Sequence, residues 1–183
     1  DIIQGLLNRQ VDGLIYIRAD RQPHTKIIRR SGTPVIMLDG VEPGPGVSVL
    51  RMDERQAARE ATAHLLSHGY REVGIITGPA WMLNTRDRLQ GWRDAMEHAG
   101  LAVNPHWVVP ADYTRQGGYQ AALHLLSGPG CPRALFVCNE QMAIGSLRAF
   151  HQQGIRVPDD LAIVGFNGTD QGAYHLPSLT SVR

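Results

Sequence analysis

Short apolar runs alternate with helix-length amphipathic stretches along most of this chain, and that alternation limits its fold more than any other feature. Val11–Ile17 (VDGLIYI) and Pro34–Leu38 (PVIML) are short, branched and apolar on both faces, as strands are when helices cover both sides of a parallel sheet. Val47–Leu50 is a weaker strand. Asp53 then stands where an N-cap is wanted, since its carboxylate can accept the free amide hydrogens of a first helical turn. The helix it opens carries Ala57, Ala61 and Leu65 at a spacing of four and stops at Gly69.

The same unit then recurs. Val73–Thr77 is a strand, and the next helix places Leu89, Trp92, Met96 and Ala99 on one face before Gly100. Trp107–Val109 is a strand, followed by a helix with Gly118, Ala121, Ala122 and Leu125 inward. Ala134–Cys138 is a strand, followed by a helix with Ala143, Leu147 and Phe150 inward and a stop at Gly154. Leu161–Phe166 is the last clear strand. The rhythm predicts an α/β chain of doubly wound parallel sheets with right-handed crossovers. Two sheets are favoured, with the break near Leu50–Asp53, although a single sheet can take the same strands. The Pro43–Gly46 stretch (PGPG) is expected to be a surface loop.

Composition narrows the function classes. The chain is long enough, at 183 residues, to bury a real core, and 43% hydrophobic with 19% charged residues is ordinary for a globular protein. A formal net charge of +1 with no basic run argues against a nucleic-acid grip in these residues. No run approaches the ~18 apolar residues of a membrane span. No signal peptide opens the chain, so the cytoplasm is the expected compartment. Cys131 and Cys138 make no disulfide framework and are expected to be reduced.

Ligands of open parallel sheets bind beyond the carboxyl ends of the strands. Asp39 follows PVIML there, Gly78-Pro79 follows VGIIT and leads to Arg86 and Arg88, and Asp112-Tyr113 follows the WVVPA segment. Asn139-Glu140 follows ALFVC, and Asn167 follows AIVGF. Carboxylate, guanidinium, amides and one aromatic ring suit a polyhydroxylated ligand, whose hydroxyls planar polar groups can bridge and whose apolar face a ring can cover. Each residue also admits a plainer role: a turn for Asp39, a solvated helix arginine for Arg88, a core-edge ring for Tyr113, helix caps or turns for Asn139 and Asn167. No G-x-S-x-G, phosphate loop, G-x-G-x-x-G or H-E-x-x-H is present, so no catalytic residue is assigned and an enzyme is not expected. His64 and His68 could share a metal, but no third ligand is evident, so neither a metal nor a cofactor is expected. Asp159-Asp160 reads as a turn before a strand.

Taken together, several of these segments resemble the effector-binding domain of the lactose-repressor (LacI/GalR) family of bacterial transcription regulators. The resemblance runs through VDGLIYI, TPVIMLDG, DERQAAREATAHLLSHGYREVGIITGP, NTRDRLQGWRDAMEHAGL, FVCNEQMAIGSLRAFHQQGIRVPDDLAIVGFN and PSLTSV. The RVPDDLAIVGFN stretch is its most specific mark. The resemblance implies two periplasmic-binding-protein-like lobes with an effector between them: 1–51 a partial first lobe, 52–176 the second, and 177–183 a crossover back toward the first. It implies an effector grip by Arg88 in the R-L-x-G-W motif, an amide from Asn139, a stacking ring at Tyr113, a first-lobe contact from Asp39, and Asn167 at the first acidic position of a G-[FY]-D-D motif.

Two departures from the family pattern follow. Glu140 stands for the usual aspartate after Asn139, and Asn167 replaces an aspartate. The second is expected to leave a negative charge missing beside Arg88 and so to favour an anionic effector, a sugar acid or phosphorylated sugar, over a neutral sugar. The resemblance further implies a homodimer, with the helix Gln141–Phe150 and the Tyr174–His175 turn as part of its surface. It implies operator DNA read only through an N-terminal helix-turn-helix lying ahead of these residues, and a continuation beyond PSLTSV. A periplasmic sugar-binding protein of a transport system is the alternative on the same architecture.

Overall fold

A computed structural model describes residues 2–17, 25–39 and 47–183. The chain divides into two compact units, Asp1–Asp53 and Glu54–Arg183. Among the described residues no helix is long and apolar enough to cross a membrane. The expected loop at Pro43–Gly46 lies outside the described residues.

The first unit runs α1 (Ile2–Asn8), β1 (Leu14–Ile17), α2 (Thr25–Ser31), β2 (Val35–Leu38) and β3 (Val47–Leu50). Its three strands form a parallel sheet in the order β1-β2-β3, with Leu14 beside Val35 and Val35 beside Val47. The run VDGLIYI is extended only from Leu14. Successive strand residues face opposite sides, and the two faces differ. Val35 and Met37 are buried with Ile28 of α2, whereas Ile15, Ile17, Ile36 and Leu50 of the alternate positions are 47–73% exposed. The apolar alternate positions that pointed to a doubly covered sheet therefore meet cover on one face among the described residues.

The second unit contains α3 (Glu54–Ser67), β4 (Val73–Thr77), α4 (Leu83–His98), β5 (Val108–Pro110), α5 (Arg115–Ser127), β6 (Ala134–Val137), α6 (Glu140–Gln152), β7 (Ala162–Phe166), α7 (Asp170–Ala173) and β8 (Thr180–Val182). Its five strands are all parallel, in the order β5-β4-β6-β7-β8. The chain steps one way from β4 to β5 and the other way from β5 to β6 and on to β7. Right-handed crossovers then put α4 on one face and α5 and α6 on the other. Helix α3 packs on α4, and α5 on α6. Every residue of β4, β6 and β7 is buried, because helices cover both faces.

The helices stop where glycine allows it: Gly69, Gly100 and Gly154 all take a positive φ. Local faces shifted in two places. Helix α3 buries Ala58, Ala61, Thr62 and Leu65, with Ala57 at the margin, and Ala99 is an exposed C-cap of α4 rather than a core residue. The strand expected at Trp107–Val109 begins one residue later. Asn104 accepts a hydrogen bond from the His106 amide and Pro105 sets the first φ, so Pro105–Trp107 wind as a 3-10 turn. Within the segment 177–183, expected to cross back toward the first lobe, Thr180–Val182 pairs with Val164–Phe166 and closes the second sheet as β8.

The segment Arg156–Asn167 becomes a clip and a strand. Arg156 donates through Nε and Nη2 to both carboxylate oxygens of Asp160, and its backbone N–H donates to Asp160 as well. Those hydrogen bonds from Arg156 pull the Asp160 carboxyl down to about 2. The clip delivers the chain into β7, whose Phe166 is 2% exposed.

Candidate functional site

In the second unit the connections after β4 and β6 leave toward opposite faces, which opens a crevice at their carboxyl ends. Gly78 follows β4 there, and Cys138 and Asn139 follow β6. The polar residues expected at this edge in the second unit are Arg88, Tyr113, Asn139 and Asn167.

Arg88 sits within α4 yet is 6% exposed, which a solvated helix arginine would not be. Its Nε donates to Glu54 Oε2 at 2.7 Å, Nη1 donates to the Cys138 carbonyl oxygen, and the guanidinium carbon lies 3.8 Å from the centre of the Phe166 ring. Burial by itself lowers the guanidinium pKa, but the hydrogen bond and the charge of Glu54 outweigh it and raise it above its ordinary value. The expectation of an unbalanced positive charge is corrected here. Asn167 is neutral, but Glu54, the first residue of α3, brings a carboxylate to Arg88 from 34 positions away.

Tyr113 adopts φ +68, a conformation uncommon for a bulky residue. Two contacts hold it. Asn139 Nδ2 donates to the Tyr113 carbonyl at 3.0 Å, and the phenol lies 2.7 Å from Thr85 Oγ1. The ring rests directly on Gly78, where any Cβ would run into it. Burial pushes the phenol pKa up to about 12, so the ring stays neutral. Cys138, beneath the arginine, is fully buried and its thiol is likewise pushed up to about 12 by burial.

Asn139 is the N-cap of α6: Oδ1 accepts from the Met142 amide at 2.8 Å. The plainer role and the edge position thus coexist, because the side-chain oxygen closes the helix while the side-chain nitrogen fixes Tyr113. Asn167 is exposed, takes φ +100 and donates its backbone N–H to Val182. Glu140 is buried and turns away from this set, accepting the Thr169 amide at 2.7 Å and tying the start of α6 to the loop after β7. Asp39 stands at the end of β2 in the first unit, at φ +58, with its amide donating to Leu50.

Three residues of the edge went unremarked in the sequence. Glu54 looked like an ordinary first-turn acid, Thr85 like an exposed helix-start hydroxyl, and Phe166 like a core strand residue. The nearest signal was Glu54 directly after the Asp53 cap, which places it at a strand-to-helix junction. The rings of His64 and His68 lie 4.5 Å apart, and no group of three or more His, Cys, Asp or Glu placed for a metal occurs among the described residues. Both cysteines are free.

The arrangement offers a buried, charge-balanced arginine, an aromatic ring and fixed amides at the edge of a rigid sheet. It presents no nucleophile aligned with a base.

The family described as a periplasmic binding protein-like domain matches residues 62–183. The ribose operon repressor of Escherichia coli (strain K12) is 34% identical over 184 residues, covering 99% of this chain and 56% of the repressor. The ribose operon repressor of Haemophilus influenzae is 31% identical over 180 residues, covering 98% of this chain and 54% of the relative. Among solved structures, a transcriptional regulator CelR–cellobiose complex superimposes with a TM-score of 0.89 at 30% identity, covering 98% of this chain and 56% of that one. The chain spans about half the length of the curated relatives it matches.

Proposed function

Because the chain belongs to the lactose-repressor (LacI/GalR) family of transcription regulators, we propose that it is the effector-sensing part of such a regulator and binds a small sugar-like molecule at the carboxyl edge of its second sheet. The observation that carries this reading is Arg88, a buried guanidinium held at the switch point of a doubly wound sheet by Glu54, Cys138 and Phe166. Tyr113 supplies an aromatic surface beside it, and Asn139 sets the position of Tyr113. The relatives described above are repressors, which supports a regulator over a transport protein and over an enzyme.

The effector acts by shifting a conformational equilibrium, by no more than the difference in its affinity for the two states. Operator DNA would be read through a helix-turn-helix segment outside these 183 residues. Such heads read paired half-sites, so the regulator works as a homodimer. Tyr174 and Leu176 are 88% and 90% exposed, and a hollow of about 380 Å³ lined by Leu147, His151, Ile155, Val157, Leu176 and Pro177 adjoins them. Exposed apolar groups beside a hollow on α6 suit a contact between copies.

Thermal-shift measurements against a panel of sugars and sugar derivatives test the reading. A ligand of the folded state raises the melting temperature, and Tyr113→Ala is expected to weaken that ligand at least about tenfold. A panel in which no sugar or sugar derivative stabilises the protein overturns it.

A further inference from the structure

Arg88 has two edges with which a guanidinium can grip an anion by a pair of parallel N–H donors, one formed by Nε and Nη2 and the other by Nη1 and Nη2. Here Nε is committed to Glu54 and Nη1 to the Cys138 carbonyl. The edge through Nε has lost one of its two donors to Glu54, and Nη1 has one of its two N–H groups engaged. Nη2 is left without a hydrogen-bond partner among the described residues, and so is Glu54 Oε1. Neither of them belongs to the buried unpaired atoms, which are Trp92 Nε1 and Glu140 Oε1, so both keep access to solvent. The site thus shows a ligand the Nη2 group as donor and Glu54 Oε1 as acceptor, the two halves of a single ion pair.

We propose that Glu54 sets the charge class of the ligand: paired with Arg88 it makes the site select a neutral polyol and reject a carboxylate or phosphate. The proposal rests on the reading that Arg88 faces the effector, and it deepens that reading. A neutral hydroxyl accepts from Nη2 while it or its neighbour donates to Oε1, so a vicinal diol satisfies both atoms and leaves the ion pair intact. A charged oxygen brings no proton for Oε1 and meets its negative charge at close range. To grip through Nε and Nη2 an anion must expel Glu54 from Arg88, which leaves a carboxylate 5% exposed without its partner. Asn167, being neutral and exposed, adds no competing charge. Glu54 is therefore a specificity-determining residue.

The test titrates the protein and its Glu54→Gln variant with inorganic phosphate and with D-gluconate, using D-glucose as the uncharged match to gluconate. Wild type is expected to bind neither anion at millimolar concentration. Glu54→Gln keeps the shape of the side chain and removes its charge, and is expected to bind both anions at least about tenfold more tightly than wild type. Adding Arg88→Met to Glu54→Gln should abolish that gain. Anion binding by wild type equal to that of a folded Glu54→Gln protein overturns the proposal. If Glu54→Gln does not fold, the Arg88 Nε–H resonance of wild type decides the matter. It should stay in place when phosphate is added, and a saturating shift at low millimolar phosphate counts against the proposal. Absence of any stabilising sugar overturns the functional reading above, while the phosphate titration still judges the charge rule by itself.

Discussion

Arg88 illustrates how one residue joins local structure to function. Its place on α4 follows from helical spacing, but its environment comes from three other segments: α3 through Glu54, the end of β6 through Cys138, and β7 through Phe166. With side chains 7% and 6% exposed, the Arg88–Glu54 pair is little screened by water. Removing one partner strands the other charge, and such losses run to about 3–5 kcal/mol. Glu54→Ala is accordingly expected to lower unfolding stability by about that amount in urea denaturation, whereas the double replacement Glu54→Leu with Arg88→Met recovers most of it. Full stability in the single variant would mean that the pair is not formed in solution. Asp39, Tyr113, Asn139 and Asn167 could be singled out as candidates because each follows a strand, where ligands of such sheets bind. The partners of Arg88 could not, since a first-turn glutamate and a strand phenylalanine have ordinary local roles.

At the scale of elements, the helix pairs approach each other through glycine. A Cβ at Gly145 would run into the carbonyl oxygen of Arg115, one at Gly118 into Met142, and one at Gly91 into the carbonyl oxygen of Arg55. Backbones this close leave no room for a methyl group, so Gly145→Ala must separate α5 from α6. Overpacking of this kind costs about 1–3 kcal/mol, more than the up to about 1 kcal/mol that alanine adds in helix propensity. Gly5 in α1 meets nothing within 4 Å. Gly5→Ala is therefore expected to gain up to about 1 kcal/mol, opposite in sign to Gly145→Ala. Chemical denaturation followed by circular dichroism reads both, and a common sign would refute the close-approach argument. Sequence spacing found the inward face of α5 residue for residue, glycine included, because a 3.6-residue period is contained within the helix. It placed the inward face of α3 one residue off at Ala57, because α3 turns its buried face toward α4 and the far strands of its sheet.

The described residues form two units that differ in how far their sheets are covered. Residues 54–183 enclose a continuous core from Ala58 to Phe166, built on strands covered on both faces. The first unit carries a parallel sheet whose Ile15, Ile17, Ile36 and Leu50 remain exposed, a state that parallel sheets rarely tolerate. Local stability follows buried apolar contact. Amide hydrogen exchange is thus expected to open β1, β2 and β3 at markedly lower free energy than β4 and β6, and residues 54–183 produced alone should unfold in one cooperative transition. Equal protection in both sheets would contradict the asymmetry.

The amino-acid sequence determined the order and kind of most elements, the parallel sheets, the helix stops at Gly69, Gly100 and Gly154, and the strand edge at which most of the candidate residues stand. Each of these rests on spacing, φ preference or burial within a short window of chain, so the residues themselves encode it. The pairing of Glu54 with Arg88, the seat of Tyr113 on Gly78 and the closure of the second sheet by β8 were decided only in the tertiary structure. They join residues between 16 and 35 positions apart, and no local pattern says which of several carboxylates, rings or strand edges will meet when the chain closes. Charge balance at Arg88 is the clearest case: the neutral Asn167 suggested an unpaired arginine, and the fold supplied the carboxylate from a different helix.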